Sequence, residues 1–470
     1  MPHPSKAATR RVSAKTGVVA AFSALATTLS LGVGAIFAPV SAQAAPASSA
    51  VQAAANGYVY GVAPVAVVRT RSNLLCNRAP NTLINLPIPA NASIREIVAP
   101  NSDTLYSNAF LDLRKGPVTL SFPASNGRYV VLQFLDAYTN VIGNIGSRTT
   151  GFGPTSVTVV PPGYRGPIPA GSHRLQSTTW DVWMLGRILV TGNQWPLAQV
   201  LQAQTRLTVG PRVGYPAVVP PGLKTPTCTG RSPQKLNANG TVFFDELADV
   251  LAADPPPAAD RAAVASLASV GVTPGSHPST GPRAAALAAG MPVGDRLVDS
   301  AVSDNLIHHS AWTTLATAGH FGTDYATRAA VARWALAANE QSESRYFLSA
   351  VDNSGSRYNG SKSYRLHLPA RNPLAPVNSG RGGWWSVTMY DASDFLVPNP
   401  IGRYSLGSNP AALTRNPDGS VDLVMSSTPP RDPRMFSNWL PAPAGPFRLI
   451  FRQYVPSNLQ WFPPSPVRVS

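Results

Sequence analysis

The stretch Pro100–Leu113, PNSDTLYSNAFLDL, decides how the fold is read. Leu105, Ser107, Ala109, Leu111 and Leu113 fall on one side of an extended chain. Thr104, Tyr106, Asn108, Phe110 and Asp112 fall on the other. Period two is the signature of a β-strand, here with one small-and-aliphatic face and one polar-aromatic face. Working outward, KGP turns the chain into VTLSF, and Asn126–Arg128 (NGR) turns it into YVVLQFLD, a run of antiparallel hairpins. WDVWMLGRILV supplies a further strand, ended by TGN. With 47 prolines and 37 glycines the chain favours turns and short elements over long helices.

The middle of the chain changes period. PLAQVLQAQ and FFDELADVLAAD carry apolar residues at helical spacing, and Pro255–Pro257 breaks the second helix. Asp260 is positioned to cap the next helix, RAAVASLASV, and Asp324 to cap DYATRAAVARWALAANE. The alanine-rich segment from about Asp245 to Glu340 therefore reads as mostly helix. Alternation returns in SYRLHL, WWSVTMY, VDLVMS and PFRLIFRQYV. Strands, helices and strands in that order predict two β-rich domains bridged by a helical region.

The N-terminus has the layout of an export signal. Lys6, Arg10, Arg11 and Lys15 precede an uncharged apolar run from about Val18 to Val40, and AQA at Ala42–Ala44 offers a small-x-small cleavage site. Cleavage after Ala44 is expected, by the general secretory route or the twin-arginine route. The paired arginines suit the latter, but the apolar pair that should follow them is missing. An uncleaved membrane anchor is the competing reading. No later run of 18 apolar residues is present, so the mature chain is expected to carry no stable membrane insertion.

The formal net charge is +16, and four of the positive charges lie in the leader. The remaining basic residues are dispersed rather than gathered into a stripe with interleaved aromatics, which argues against nucleic acid as a partner. Weak attraction to anionic envelope polymers or lipid headgroups follows more naturally from the charge. The two cysteines, Cys76 and Cys228, lie in loop-like sequence. In an exported chain an even count favours a disulfide, two independent thiols being the other reading. Neither sits among histidines at metal-ligand spacing. His308, His309 and His320 also lack that spacing and a companion glutamate, so no metal is expected. No G-x-S-x-G elbow, P-loop or G-x-G-x-x-G fingerprint is present, so a standard α/β-hydrolase, NTPase or dinucleotide enzyme is not expected, nor is a cofactor.

PNSDTLYSNAFLDL, GRYVVLQFLDAYTNVIGNIGSRTTG and WMLGRILV resemble the N-terminal part of bacterial proteins that pair two domains of unknown function, numbered 1254 and 1214. WWSVTMYD, LVPNPIGRYSLG, NPDGSVDLVM and NWLPAPAGPFRLIFRQYVP resemble the C-terminal part, and FGTDYATRAAVARWALAANE the linker. The resemblance implies two β-sandwich, jelly-roll-like domains, the second similar to the sandwich of secreted peptide N-glycosidases. It carries over no catalytic residue. The fold class expected is thus mainly β with α, two sandwiches joined by a helical middle. The expected limits are a signal at 1–44, an N-terminal domain at 45–235, a helical connection at 236–345 and a C-terminal domain at 346–470. The loops LLCNRAPNTLINLP and PTCTG depart from the family pattern, which supports pairing Cys76 with Cys228.

Candidate chemistry rests on few groups. Asp103, Asp136 and Asp391 each lie at a strand end near Tyr106, Tyr138 or Tyr390, where sandwiches usually build sites, and two carboxylates in unlike environments can share acid and base roles. Arg148 and Arg403 lie in loops and could hold a carboxylate or oxyanion through a bidentate fork. Asp103, Tyr106, Asp136, Tyr138 and Arg148 are expected to share a cleft, with Asp391 and Arg403 contributing from the second domain. The structural alternative is that the aspartates brace turns and the arginines make loop salt bridges.

Two functions follow. One is a secreted, metal-independent hydrolase using these carboxylates and arginines. The other is a non-catalytic cell-envelope or glycan-binding protein that uses the polar-aromatic face, unless helices or the other domain cover it. The partner is a small molecule, peptide or glycan, and self-association into a homo-oligomer stays open.

Overall fold

The computed structural model describes residues 48–95, 99–190, 197–205, 208–209, 220–223, 228–371, 373–408 and 413–469. The expected leader, 1–44, lies outside the described residues. The fold is mainly β, with two sandwiches and a helical body, as the sequence pattern and the resemblance predict.

The first sandwich is built from β1 (Ile84–Leu86), β2 (Thr104–Asp112), β3 (Val118–Phe122), β4 (Val130–Asp136), β5 (Val141–Gly146), β6 (Thr155–Val160), β7 (His173–Gln176), β8 (Asp181–Leu189) and β9 (Thr208–Val209). One sheet runs β1-β2-β8-β4-β5 and the other β7-β6-β3-β9. The aliphatic face of β2 does what its alternation predicts. Leu105, Ala109 and Leu111 pack with Leu132, Phe134 and Met184 of their own sheet against Leu120, Val157 and Val159 of the facing one.

The helical body contains α1 (Ser49–Leu75), α2 (Leu197–Thr205) lying against the first sandwich, α3 (Val242–Ala253), α4 (Arg261–Ser269), α5 (Ala284–Asp304) and α6 (Tyr325–Ala335). Its axis is α1, a helix the sequence pattern did not announce, which packs on α3, α4, α5 and α6. The side chain of Ser48 caps it by accepting from Val51 N at 3.3 Å, and Cys76 ends it in the left-handed region at φ 38°. By length and composition α1 could cross a membrane, yet 72% of its apolar window is buried inside the protein. A helix buried on all sides shows no apolar stripe, which is why period analysis passes over it. Gly290 and Gly294 of α5 let the two backbones meet. A Cβ on Gly294 would sit 2.6 Å from Ala55 O, and one on Gly290 2.8 Å from Val51 O.

Two local expectations are corrected. Asp260 occupies the cap position of α4 but makes no capping bond. Its carboxylate turns inward and accepts from Tyr60 Oη and Tyr325 Oη, each at 2.9 Å. Asp324 does cap α6, accepting from Thr327 N at 2.9 Å. The segment around His308 and His309 is not helical. It is the hairpin β10 (Leu306–His309) and β11 (Trp312–Leu315), turned at Ser310 with φ 52°. Tertiary pairing overrides the alanine-rich context, because β11 pairs with the strand Ser344–Ser349 of the second sandwich.

That sandwich adds β12 (Ser344–Ser349), β13 (Tyr364–Leu368), β14 (Trp384–Asp391), β15 (Ser405–Gly407), β16 (Val421–Ser426), β17 (Trp439–Pro441), β18 (Phe447–Tyr454) and β19 (Val467–Arg468). Its sheets run β10-β11-β12-β18-β14-β15 and β17-β16-β13-β19 around Phe347, Trp385, Leu423 and Phe451. The disulfide expected between Cys76 and Cys228 is present, with Cα atoms 4.7 Å apart.

Candidate functional site

The polar-aromatic face of β2 is not an open platform. Phe110 stacks on Trp183 at 5.5 Å, and both are buried with Val67, Leu74 and Leu75 of α1. At the other end of the sheet, Tyr129, Val131 and Leu189 pack with Trp384, Tyr454 and Val455 of the second sandwich. Helix and partner domain share the cover, so a glycan cannot lie along this face without parting them.

Strand direction separates the residues expected to share a cleft. Both β2 and β4 run antiparallel to β8, and Asp136 and Leu111 both lie opposite Val182. Asp103 precedes Leu111 by eight positions, about 26 Å along a strand. Asp103 and Arg148 therefore sit at one end of the sheet, Asp136 and Tyr138 at the other. No common cleft holds them.

Each candidate has partners that account for it. Asp136 braces the β4–β5 turn, accepting from Tyr138 N (2.9 Å), Asn140 N (2.8 Å), Asn140 Nδ2 (2.9 Å) and Thr178 Oγ1 (2.8 Å). Burial raises its pKa, and those four bonds oppose the rise. Tyr138 Oη donates to Asp254 O at 2.7 Å inside the helical core. Asp391 accepts from Ser393 N and Phe395 N and pairs with Arg95 at 3.1 Å. Arg403 donates to the carbonyls of Phe436 (2.7 Å) and Trp439 (2.9 Å). Asp103, fully buried between the sandwiches, accepts from Ser386 Oγ at 2.7 Å and from Ser405 Oγ. Arg148 spans to Glu343 (2.5 Å) and Glu340 (2.7 Å), and Tyr129 Oη also donates to Glu343 at 2.8 Å.

Tyr106 faces Arg187, a buried arginine that the sequence did not single out. Its guanidinium donates to Gln133 Oε1 (2.8 Å), Asn339 Oδ1 (3.1 Å) and Ala337 O (2.9 Å). Arg452, also buried, donates to Thr388 Oγ1 and Tyr390 Oη, both at 2.7 Å. Arg187 thus ties the first sandwich to the segment that leads into the second, and Arg452 reaches back across to Ala99 O at 3.4 Å.

An open concavity lies elsewhere, in the helical body. A groove of about 620 Å³ runs between Asn56–Tyr60 of α1, Ala262, Ala263 and Ser266 of α4, Leu297–Asp304 of α5 and the start of α6. Such volumes suit small organic ligands. Its walls are largely apolar, and Leu297 stands 41% exposed on one of them. The floor is built from aromatic rings. Tyr60 and Tyr325 meet edge-on at 5.0 Å, both hydroxyls reach Asp260, and the Arg328 guanidinium lies 4.8 Å and 5.0 Å from the two ring centres. Burial and the bond to Asp260 push the Tyr325 phenol up to about 12, and burial raises Tyr60 as well. Both phenols stay neutral, and their shared acceptor Asp260 fixes where the two hydroxyls point. The groove is not visible in the sequence because its lining comes from four separate helices, the first of which carries no apolar stripe.

Comparison with known proteins places the chain. A family model described as a protein of unknown function (DUF1254) matches residues 80–209, and a second, DUF1214, matches residues 343–458. No curated protein matches. The crystal structure of the VPA0106 protein from Vibrio parahaemolyticus is similar, with a TM-score of 0.67 at 21% identity over 90% of this chain and 100% of that one. A putative uncharacterized protein from Burkholderia cenocepacia covers 88% of this chain and 86% of its own, with a TM-score of 0.44 at 10% identity. The first neighbour shares the fold, and the two family models fall on the two sandwiches in order. The chain belongs to the proteins that pair DUF1254 with DUF1214.

Proposed function

We propose that this is an exported, non-catalytic binding protein of the cell envelope, which holds a small amphipathic molecule in the groove of its helical body. The observation that carries the reading is the groove itself: about 620 Å³, apolar-walled, open, and floored by a fixed Tyr60–Tyr325–Asp260 unit. A hydrolase would need a carboxylate free to move a proton, whereas Asp103, Asp136 and Asp391 spend their oxygens on neighbouring serines, turn amides and Arg95. The basic start, apolar run and AQA motif support export, and the disulfide is compatible with an oxidising compartment.

The test uses a neutral apolar reporter, N-phenyl-1-naphthylamine, whose fluorescence rises on leaving water. The protein should bind it saturably. Ser300→Trp, placed on an exposed lining position of α5, should abolish binding without changing the melting temperature. Equal binding by the variant, or none by the native protein, refutes the reading. Turnover of any substrate that Asp136→Asn abolishes at unchanged stability would favour the hydrolase.

A further inference from the structure

The charges around the groove say more about its occupant than its size does. Among the residues lining it, the ionisable side chains are Asp304, Asp324, Tyr60 and Tyr325; no lysine, arginine or histidine lines it. In a chain of net charge +16 that is a local inversion of sign. Beneath the floor, buried Asp260 and buried Arg328 offset one another around the two phenols. Both phenols are already neutral at physiological pH, and burial pushes them further from ionising. The uncompensated charge is therefore at the rim.

The two rim carboxylates differ. Asp324 is the N-cap of α6, bonded to Thr327 N, and offsets the positive end of that helix. Asp304 is the last residue of α5, a helix of 21 residues, where the helix carbonyls already favour a cation. It is exposed. Arg261, beside the lining Ala262, is exposed and outside the lining. One end of the groove thus offers a carboxylate backed by a helix C-terminus, and the rest offers Val59, Leu297, Ala263 and the Tyr325 ring.

We infer that the ligand of this groove is an organic cation: an amine whose ammonium sits at Asp304 and whose hydrocarbon or aromatic body lies along α1, α4 and α5. The inference rests on the groove being the binding site, as proposed above. It adds the class of ligand. An anion of the same shape would meet two carboxylates and no basic lining residue, so the groove discriminates by repulsion as well as attraction.

Three probes of matched length separate the cases: 4-phenylbutylamine, 4-phenylbutanol and 4-phenylbutyrate, titrated calorimetrically into the full mature protein. The amine should bind at least about fivefold more tightly than the alcohol, and the acid more weakly than either. Asp304→Asn should remove the preference for the amine while leaving the alcohol unchanged, and Ser300→Trp should remove all binding. Equal binding of amine and alcohol, or a preference that survives Asp304→Asn, overturns the cation assignment and leaves the groove as a site for a neutral molecule. Binding of none of the three, or binding that survives Ser300→Trp, overturns both the cation assignment and the groove.

Discussion

Replacing Arg148 by methionine keeps much of the side chain's length and removes its charge, and it asks whether this arginine is a brace or a participant in chemistry. In the structure Arg148 Nε lies 2.5 Å from Glu343 Oε2 and Nη2 lies 2.7 Å from Glu340 Oε1. The Glu343 side chain is 1% exposed, Glu340 20% and Arg148 24%. Burial raises the Glu343 pKa, and Arg148 is the strongest force pulling it back. Removing one partner of a buried pair costs about 3–5 kcal/mol, because a buried carboxylate is left uncompensated. The Glu340 contact, nearer solvent, contributes less than about 1 kcal/mol. Tyr129 still donates to Glu343, so the low end, about 3 kcal/mol, is the expected loss.

The sign with pH follows from the direction of the shift. A carboxyl whose folded pKa is raised contributes stability that is present below its unfolded value and lost as pH rises through the folded value. Without Arg148 the Glu343 pKa rises further, so the variant's deficit should be greatest at neutral pH and shrink on acidification. Urea denaturation of Arg148→Met, Glu343→Gln and the double variant measures all of this. Glu343→Gln keeps an acceptor for Tyr129 and removes the charge, so the double variant should recover about 2 kcal/mol of the single variant's loss. A loss below about 1 kcal/mol, or a deficit that grows on acidification, would show that Arg148 is not holding a buried carboxylate.

Three further outcomes are expected. The disulfide closes a loop with a sequence separation of 152, worth about 5 kcal/mol in the chain-entropy account, so Cys76→Ser/Cys228→Ser should unfold at markedly lower urea concentration; equal midpoints would contradict it. Gly294→Ala should cost about 1–3 kcal/mol by driving a methyl against Ala55 O and Tyr58 Cβ in the α1–α5 crossing, as read from the melting temperature. Asp254 is held well above the usual carboxylate range by burial and by the Asp181 carboxylate. The native protein should therefore lose stability as pH rises through that raised value. Asp254→Asn, which keeps the Oδ1 acceptor for Trp180 N and Asp181 N, should flatten the loss in melting curves taken across pH; identical pH profiles would refute the assignment.

The part of the fold written in period-two alternation was legible before any coordinates. Leu105, Ala109 and Leu111 are core because a strand with one aliphatic face must bury it. Helix α1 was not legible, since Tyr58, Tyr60 and Ala63 point in different directions around the helix and are all buried, which leaves no stripe. The hairpin at His308 and His309 was hidden in helix-forming sequence, because what makes it a strand is pairing of β11 with β12 across the chain.

Site residues failed to declare themselves for a related reason. The strand-end position of Asp136 is visible in sequence, but Thr178, which takes one of its oxygens, is 42 positions away. Asp103 finds its serines in the other sandwich. The sequence marks an aspartate as available for chemistry; the fold decides whether anything has already claimed it. Conversely Asp304, with nothing in its local sequence to set it apart, lines a groove to which α1 brings Tyr60 and α6 brings Tyr325.

The most direct test of the account is a crystal structure of the mature protein with bound 4-phenylbutylamine. The account predicts density for the phenyl ring between α1, α4 and α5, with the ammonium within about 4 Å of the Asp304 carboxylate. Density for the amine between the two sandwiches, beside Asp103 and Arg452, with the helical groove empty, would contradict it.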